Sequence, residues 1–271
     1  MEPISRTTQT RSQPSPRRPR RSSPAPAAAF ALLLALCAGP ACAAGAIWSV
    51  QAEHGDIVAS AAHDGAPAFS AQAYARSLLP SGYRPATAAP GNECAIEIDL
   101  RPLSLLGDAL SLEVTYRRLP GECATPLRDG GYQAVRAIRL GSDAPVRIED
   151  YAQPAALLQE LRKTREVVDL IGADAASVPT LPALFERLAE ATAKRCERRL
   201  SATSTSQFYV AQASGESIEL RIAWSNDCGQ LGDEPQIESF PLTLRETDLK
   251  GAPRARVLDV PPLHLRFVAG D

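Results

Sequence analysis

The sequence predicts an α+β protein in which antiparallel sheets flank a central helical pair and disulfides staple the fold. Three observations predict this class. Apolar and polar residues alternate with period two near both ends of the chain, which is typical of strands with one buried face. The middle of the chain changes to helical spacing, and an even number of cysteines follows a leader that predicts export.

Residues 1–43 have the layout of a secretory signal peptide. Residues 1–22 contain six arginines and one glutamate. An apolar run of 12 residues, 27–38, follows, and after it come a Gly-Pro pair and small residues. This run is shorter than the roughly 20 residues of a membrane-spanning helix. We therefore expect cleavage between Ala43 and Ala44, no stable membrane span afterwards, and a periplasmic or secreted location. Lipidation of Cys42 is the alternative fate of the leader.

The charge of the chain divides at the same point. Six of the 29 basic side chains and one of the 31 acidic ones lie in the leader, so the remainder carries 23 basic and 30 acidic side chains, about −7 with histidine neutral. An acidic domain disfavours nucleic acids and anionic lipid surfaces as its main partners.

Four cysteines remain after cleavage, and in an exported chain they favour two disulfides over free thiols. Three connectivities are open. We expect Cys94 with Cys123 and Cys196 with Cys228, because each pair brackets one predicted hairpin. Each bridge would close a loop of about 30 residues, and loop entropy then predicts roughly 3 to 4 kcal/mol of stabilisation. No two of these cysteines are closer than 29 residues, which disfavours a zinc site, so we predict no metal.

The first elements of the exported part are short. Residues 47–53 and 56–62 are strand-like and flank His54–Gly55, where Gly55 can supply the positive φ of a tight turn. Ser70 can cap a helix that ends near residue 79.

The clearest alternation follows. Residues 96–100 and 110–117 each place apolar side chains on one face and polar ones on the other, which predicts antiparallel strands joined by a loop over 102–108. Residues 132–140 are a third strand candidate of less certain register.

Helical spacing occupies the middle of the chain. One helix begins near Pro154 and ends at Gly172, and a second is predicted over 180–199. The apolar face of the first comprises Leu157, Leu161, Thr164, Val168 and Ile171.

Strand patterns return in the last third of the chain, where four strands suffice for a separate sheet that the helices cover. These strands are 207–213, 217–225, 237–245 and 263–269.

An internal similarity bears on domain organisation. Residues 107–116 align without gaps to residues 215–224, and a cysteine follows each stretch. Duplication would give two similar halves, 44–172 and 173–271, which can also pack as one domain. Independent amphipathic strands after a glycine turn explain the pattern equally well.

Histidine-based chemistry has few possible centres. The chain contains three histidines, of which His54 lies near Asp56 and His63 beside Asp64, while His264 alternates with leucines and is expected on the outer face of a strand. Their spacing matches no metal motif, so polar turns are the favoured interpretation. The sequence also contains no nucleophile elbow and no glycine-rich phosphate loop, and it predicts no cofactor.

Carboxylate pairs could still support glycoside hydrolysis, which needs two acids across a sugar cleft. Surface charge is the favoured interpretation of each candidate, since 14 aromatic residues leave few sugar platforms. The candidate acids are Glu97 and Asp99, Glu149 and Asp150, Asp227, and Asp233 and Glu234. Arginines that could form an anion patch are Arg117, Arg118, Arg195, Arg198 and Arg199.

The absence of catalytic motifs and the presence of amphipathic strands together favour a non-catalytic binding or accessory protein of the cell envelope. Its partner would be an envelope protein or ligand. Two other functions stay open. One is an envelope hydrolase acting on peptidoglycan or polysaccharide. The other is a secreted inhibitor of a protease or lysozyme, which would insert a loop such as 120–131 or 227–235. Oligomeric state does not follow from the sequence.

Overall fold

Antiparallel β-sheet dominates the part of the chain that the computed structural model describes, namely residues 47–62, 66–81, 83, 95–119, 131–195, 205–226 and 236–268. Strands contain 48% of these residues and helices 28%, and the strands form three sheets. The predicted α+β class, with antiparallel sheets flanking a central helical pair, is therefore wrong. The helices cover one of the sheets and do not separate two sheet-bearing halves.

The described residues form eleven strands and four α-helices. The strands are β1 (Trp48–Glu53), β2 (Asp56–Ala61), β3 (Pro67–Ser70), β4 (Ala95–Leu106), β5 (Ala109–Leu119), β6 (Tyr132–Arg139), β7 (Phe208–Ser214), β8 (Ser217–Asn226), β9 (Gln236–Arg245), β10 (Ala255–Val257) and β11 (Leu263–Val268). The helices are α1 (Ala71–Ser77), α2 (Pro154–Leu161), α3 (Arg165–Ile171) and α4 (Leu181–Arg195).

The first sheet has the order β1-β2-β3 and is built from a tight hairpin. His54 and Gly55 form its two-residue turn with φ of 50° and 78°, the mirror-image geometry that matches the twist of the strands. Helix α1 follows β3 directly, and the Ser70 hydroxyl caps it by accepting from the Ala73 amide at 3.1 Å.

The central sheet combines strands from both ends of the sequence. Its order is β10-β4-β5-β6, and β11 pairs with the first half of β4, so that Leu263 lies opposite Leu100 and Phe267 opposite Ile96. The expectation that residues 263–269 join a C-terminal sheet is therefore wrong. Strands β4 and β5 are longer than the alternation predicted, since they meet in a two-residue turn at Gly107 and Asp108.

The third sheet, β7-β8-β9, is covered by the helices. Leu157, Leu161 and Leu184 of those helices pack with Phe208 and Phe240 of the sheet in one buried cluster. The single helix predicted from Pro154 to Gly172 is broken after Leu161. Thr164 begins a new helix there, and its hydroxyl donates to the carbonyls of Glu160 and, at 3.3 Å, Pro241.

A bulge in β4 lets the central sheet contribute side chains to two hydrophobic cores, one on each of its faces. The register shifts between Pro102 and Ser104, and such an extra residue changes which side chains face each side. Leu100 and Leu105 therefore face the first sheet and α1, whereas Leu106 belongs to the core shared with the third sheet. Sheet packing on both faces explains why residues 102–106 are all buried.

The predicted disulfides and the leader lie outside the described residues. This applies to Cys94, Cys123, Cys196 and Cys228, and equally to the proposed cleavage site at Ala43 and Ala44. These predictions therefore stay predictions.

Candidate functional site

Exposed edges of the three sheets are places where another chain can bind. An unpaired edge offers a row of backbone donors and acceptors, and proteins usually block it with proline, charge, shortness or a covering segment. The edge at β3 is blocked in this way. That strand has four residues, begins at Pro67, and its Ala68 carbonyl accepts from the Gly141 amide at 3.1 Å.

Two further edges are covered by neighbouring segments. Residues 144–146 bond to the outer side of β6, where the Arg139 amide donates to Ala144 at 2.8 Å and the Val146 amide donates to Ala137 at 3.0 Å. Strand β9 contains Pro241, which cannot donate to an added strand, and Thr164 already bonds its carbonyl.

The remaining edges of the central and third sheets are also protected. The β7 edge lies against β4, and its Val210 amide donates to the buried Ser104 hydroxyl at 2.8 Å. Strand β10 has only three residues. The outer side of β11 has no described backbone partner, but this strand carries the exposed side chains of His264 and Arg266, and charged side chains disfavour pairing with another strand.

Strand β1 is not short, contains no proline and is not covered by a described segment. The Ala62 amide bonds the Ile47 carbonyl at 2.8 Å, and Glu53 opposes Asp56 across the two-residue turn. Odd-numbered residues of β1 therefore direct their backbone groups toward β2, and the even-numbered residues direct theirs outward. In the part of the chain that the structure describes, no backbone group bonds to these outward donors and acceptors, which belong to Trp48, Val50 and Ala52.

The side chains of β1 give this edge two unlike faces. Val50 is 8% exposed and packs in the core of the first sheet, beside the partly buried Trp48. The indole Nε1 of Trp48 is buried and has no acceptor among the described residues. On the opposite face, Ser49 bonds Ser60 across the hairpin at 3.2 Å, and Gln51 donates to Glu53. Strand β1 contains no proline, and Glu53 is its one charged residue.

The hairpin that carries β1 is held in place by Asp56. Its carboxylate accepts from the Ile57 amide at 2.7 Å, from the Gln72 amide at 2.9 Å and from the Ser70 hydroxyl. Asp56 is therefore occupied in fixing the hairpin to the start of α1, and His54 is exposed in the turn. His63 and Asp64 lie outside the described residues.

The predicted acids of β4 lie on a polar face of the central sheet. His264 is 60% exposed and its Nδ1 bonds Asp99, which also lies 4.0 Å from Arg117. Glu97, two residues earlier in β4, lies opposite Arg117 of β5 and Arg266 of β11. A glycosidase acid needs a carboxyl group that stays protonated, which apolar burial supports and neighbouring cations oppose. This face is a ladder of charge pairs of the kind that stabilises sheets.

The other sequence candidates are dispersed. The Arg147 guanidinium donates to Glu149 at 2.7 Å, and the Arg147 amide donates to Asp150 at 3.2 Å, so both acids serve a local turn. Arg118 lies on β5 opposite Ile96 of β4. The other candidates lie outside what the structure describes. These are Asp227, Asp233, Glu234 and the side chains of Arg195, Arg198 and Arg199.

Sequence reasoning did not single out two clefts that also contain acids. One, of about 440 Å³, lies between the β7–β8 turn and residues 246–255 and contains Glu216 and Glu246. Both are exposed, and none of its described lining residues is aromatic. The other, of about 340 Å³, contains Glu160, paired with Lys163 at 2.8 Å, and Asp248, which accepts from the Arg245 amide at 2.9 Å. Neither cleft provides a buried acid with a sugar platform.

Tyr151 and Asp108 form a partly buried link between the β4–β5 turn and the segment before α2. The phenol of Tyr151 donates to Asp108, whose other carboxylate oxygen lies 3.8 Å from Arg139. Burial first, and then this hydrogen bond, raise the pKa of Tyr151 above the ordinary tyrosine value of 10.0.

This link predicts a pH dependence of stability. Because folding favours the protonated phenol, its contribution is complete below about pH 10 and is lost as the pH rises from the unfolded toward the folded pKa. Above about pH 10, the unfolding free energy of the wild type should fall with pH because unfolding releases about one proton from Tyr151, and Tyr151→Phe should remove this contribution. Urea unfolding of both proteins between about pH 8 and pH 11 measures the slope. Equal slopes would contradict the predicted coupling.

The described residues contain no group of three or more His, Cys, Asp or Glu side chains that could hold a metal ion. They also contain no helix with the length and apolar character needed to cross a membrane.

Comparison of the chain with protein-family models, curated proteins and solved structures finds no match in any of the three.

Proposed function

We propose that this chain is an exported, non-catalytic binding or accessory protein of the cell envelope that takes up an extended segment of a partner protein on β1. The observation that carries the proposal is the outer edge of β1, which has no described partner, whereas the other described edges are covered, short, interrupted by proline or, in β11, charged. Addition of a partner strand at such an edge is a common mode of peptide recognition.

The geometry of the edge supports this mode. Trp48, Val50 and Ala52 each offer one outward amide and one outward carbonyl, so an added strand can make six backbone hydrogen bonds. Each such bond contributes about 0.5 to 1.5 kcal/mol net, which suffices for moderate affinity after the cost of ordering the partner. The hairpin is already fixed by Asp56, so little of that cost falls on this chain.

Side chains add selectivity to the backbone bonds. A partner strand would place alternate side chains beside Trp48 and Val50, where they extend the apolar face of the first sheet. Its other side chains would lie beside Gln51 and Glu53, where a basic residue is favoured. The preferred ligand is thus an extended, amphipathic segment.

Export and acidity fit an envelope location, since the leader predicts secretion and a net charge of about −7 disfavours nucleic-acid partners. An envelope hydrolase is less well supported, because Glu216 and Glu246 are exposed in a cleft without a described aromatic platform. The inhibitor hypothesis invoked loops 120–131 and 227–235, which lie outside the described residues except Gly131.

A proline at Ala52 tests the proposal. Its ring removes an outward amide and occupies the edge, but the β1–β2 ladder does not use that amide. Ala52→Thr, which keeps the amide and favours strand, is the matched control. With a photo-crosslinker at Gln51, envelope extract should give a partner adduct in the wild type and Ala52→Thr, and at least about tenfold less in Ala52→Pro.

Circular dichroism and urea unfolding of the two variants establish that both are folded. Equal adduct in Ala52→Pro and Ala52→Thr would contradict strand addition. Turnover of peptidoglycan or glycan that is abolished by Glu216→Gln or Glu246→Gln would establish the hydrolase instead.

A further inference from the structure

We infer that, in the absence of its partner, β1 pairs with β1 of a second copy of this chain, about a two-fold axis at Val50. The resulting dimer occupies the edge that the partner strand requires. This inference rests on the proposed function, because both use the outward backbone groups of Trp48, Val50 and Ala52.

The register follows from the direction of the hydrogen bonds. Two antiparallel β1 strands can bond only through residues whose backbone groups point outward, which are the even-numbered ones. Pairing Val50 with Val50 also pairs Trp48 with Ala52 on both sides of the axis. This register uses all three outward residues of each copy, whereas a shift by two residues in either direction leaves at least one of them beyond the end of the opposing strand.

Side chains are self-complementary in this register. On the apolar face, the large Trp48 of one copy lies opposite the small Ala52 of the other, and the two β-branched Val50 side chains meet at the axis. On the polar face, Ser49 lies opposite Gln51, and Glu53 lies opposite Ile47, so no like charges oppose each other. An isologous interface requires self-matching of this kind.

The size of the contact makes the dimer exchangeable. A pair of six-residue strands is smaller than the roughly 1,200 to 2,000 Å² interface of a stable complex. Self-association at concentrations of about 10 µM to 1 mM is therefore expected, and a better-matched partner segment can displace the second copy.

Two double variants test the pairing and its register. In Ser49→Lys with Gln51→Lys, the two cross-axis pairs become repulsive, and in Ser49→Lys with Gln51→Glu the same two pairs become attractive. Both lose the Ser49–Ser60 hydrogen bond, so a difference between them reports on the charges across the axis. Circular dichroism establishes that each variant is folded.

Sedimentation equilibrium of purified protein provides the readout. The wild type should change from monomer to dimer between about 10 µM and 1 mM, the Lys/Lys variant should dissociate at least about tenfold more readily, and the Lys/Glu variant should restore or exceed wild-type association. Wild-type protein that stays monomeric throughout would overturn the inference. Equal dissociation of both variants would overturn it as well, since the register requires that they differ.

Failure of this inference is distinguishable from failure of the proposed function. A monomer whose partner adduct is lost in Ala52→Pro overturns the dimer and supports partner uptake. A wild-type dimer that Ala52→Pro dissociates, with partner adduct unchanged, supports the dimer and overturns partner uptake at β1.

Discussion

Phe208→Ala is expected to lower the free energy of unfolding by about 3 to 5 kcal/mol, the usual cost of removing a buried aromatic side chain. Phe208 is 0% exposed, and its ring centroid lies 6.4 Å from that of Tyr151. It packs among α2, α4 and all three strands of the third sheet, so neighbouring side chains from several elements would have to move to fill the space. A typical domain has only about 5 to 15 kcal/mol of stability, so the loss is large.

Urea unfolding followed by circular dichroism measures this effect. Gln212→Ala is the matched control in the same strand, because Gln212 is exposed and should change the unfolding free energy by less than about 0.5 kcal/mol. A Phe208→Ala protein that is as stable as the Gln212→Ala protein would show that the core between the third sheet and the helices is wrongly assigned.

Removal of residues 263–271 is expected to abolish cooperative folding of the whole described unit. Strand β11 pairs with the first half of β4, where Ile96, Ile98 and Leu100 are fully buried. Without β11, their backbone groups on that side lose their partners, and burying unbonded groups costs about 1 to 3 kcal/mol each. Leu265 and Phe267 also leave the core of the first sheet.

Thermal unfolding followed by far- and near-ultraviolet circular dichroism measures the loss. His264→Ser is the control, since it removes an exposed side chain and its bond to Asp99 but leaves the backbone pairing of β11 intact. If β11 belonged to a separate C-terminal sheet, as the sequence suggested, the truncated protein would keep a cooperative transition from residues 44–172. Such a retained transition would contradict the β4–β11 pairing.

Local patterns predicted the individual strands well. Alternation located β4 and β5, and the His54–Gly55 pair located the tight turn of the first hairpin, because both depend on neighbouring residues. The alternation of apolar and polar residues ends at Pro102. There the bulge exchanges the two faces of β4, and every residue from 102 to 106 is buried. Period two therefore disappears where a strand has a core on both sides.

Partner choice among strands was not predictable by the same means. Residues 263–268 have an unremarkable amphipathic pattern, and nothing local indicates that they pair with β4, more than 150 residues earlier. The single helix predicted from Pro154 to Gly172 was wrong for a similar reason, since Thr164, at the break, bonds to Pro241 in a distant strand. Long-range pairing, rather than propensity, set the fold class.

The sequence predicted the type of candidate site, a sheet edge, but not its position. Amphipathic strands suggested that a sheet edge could accept a partner, but the sequence could not say which edge stays open, because that depends on what covers each of the others. The acids singled out in the sequence, Glu97 and Asp99, belong to a charge ladder instead. Residues 48–53 contain no proline and only one charged residue. This is the sequence signal that could have identified β1 as an open edge.

Residue-resolved amide exchange by NMR is the most direct test of the open β1 edge. In dilute protein, well below the concentration of self-association, the amides of Trp48, Val50 and Ala52 should exchange rapidly. Those of Ser49, Gln51 and Glu53, which bond to β2, should be protected. Addition of the partner segment identified by crosslinking should then slow the first three. Equal protection of all six amides in the dilute, partner-free protein would contradict an open edge and with it the proposed mode of binding.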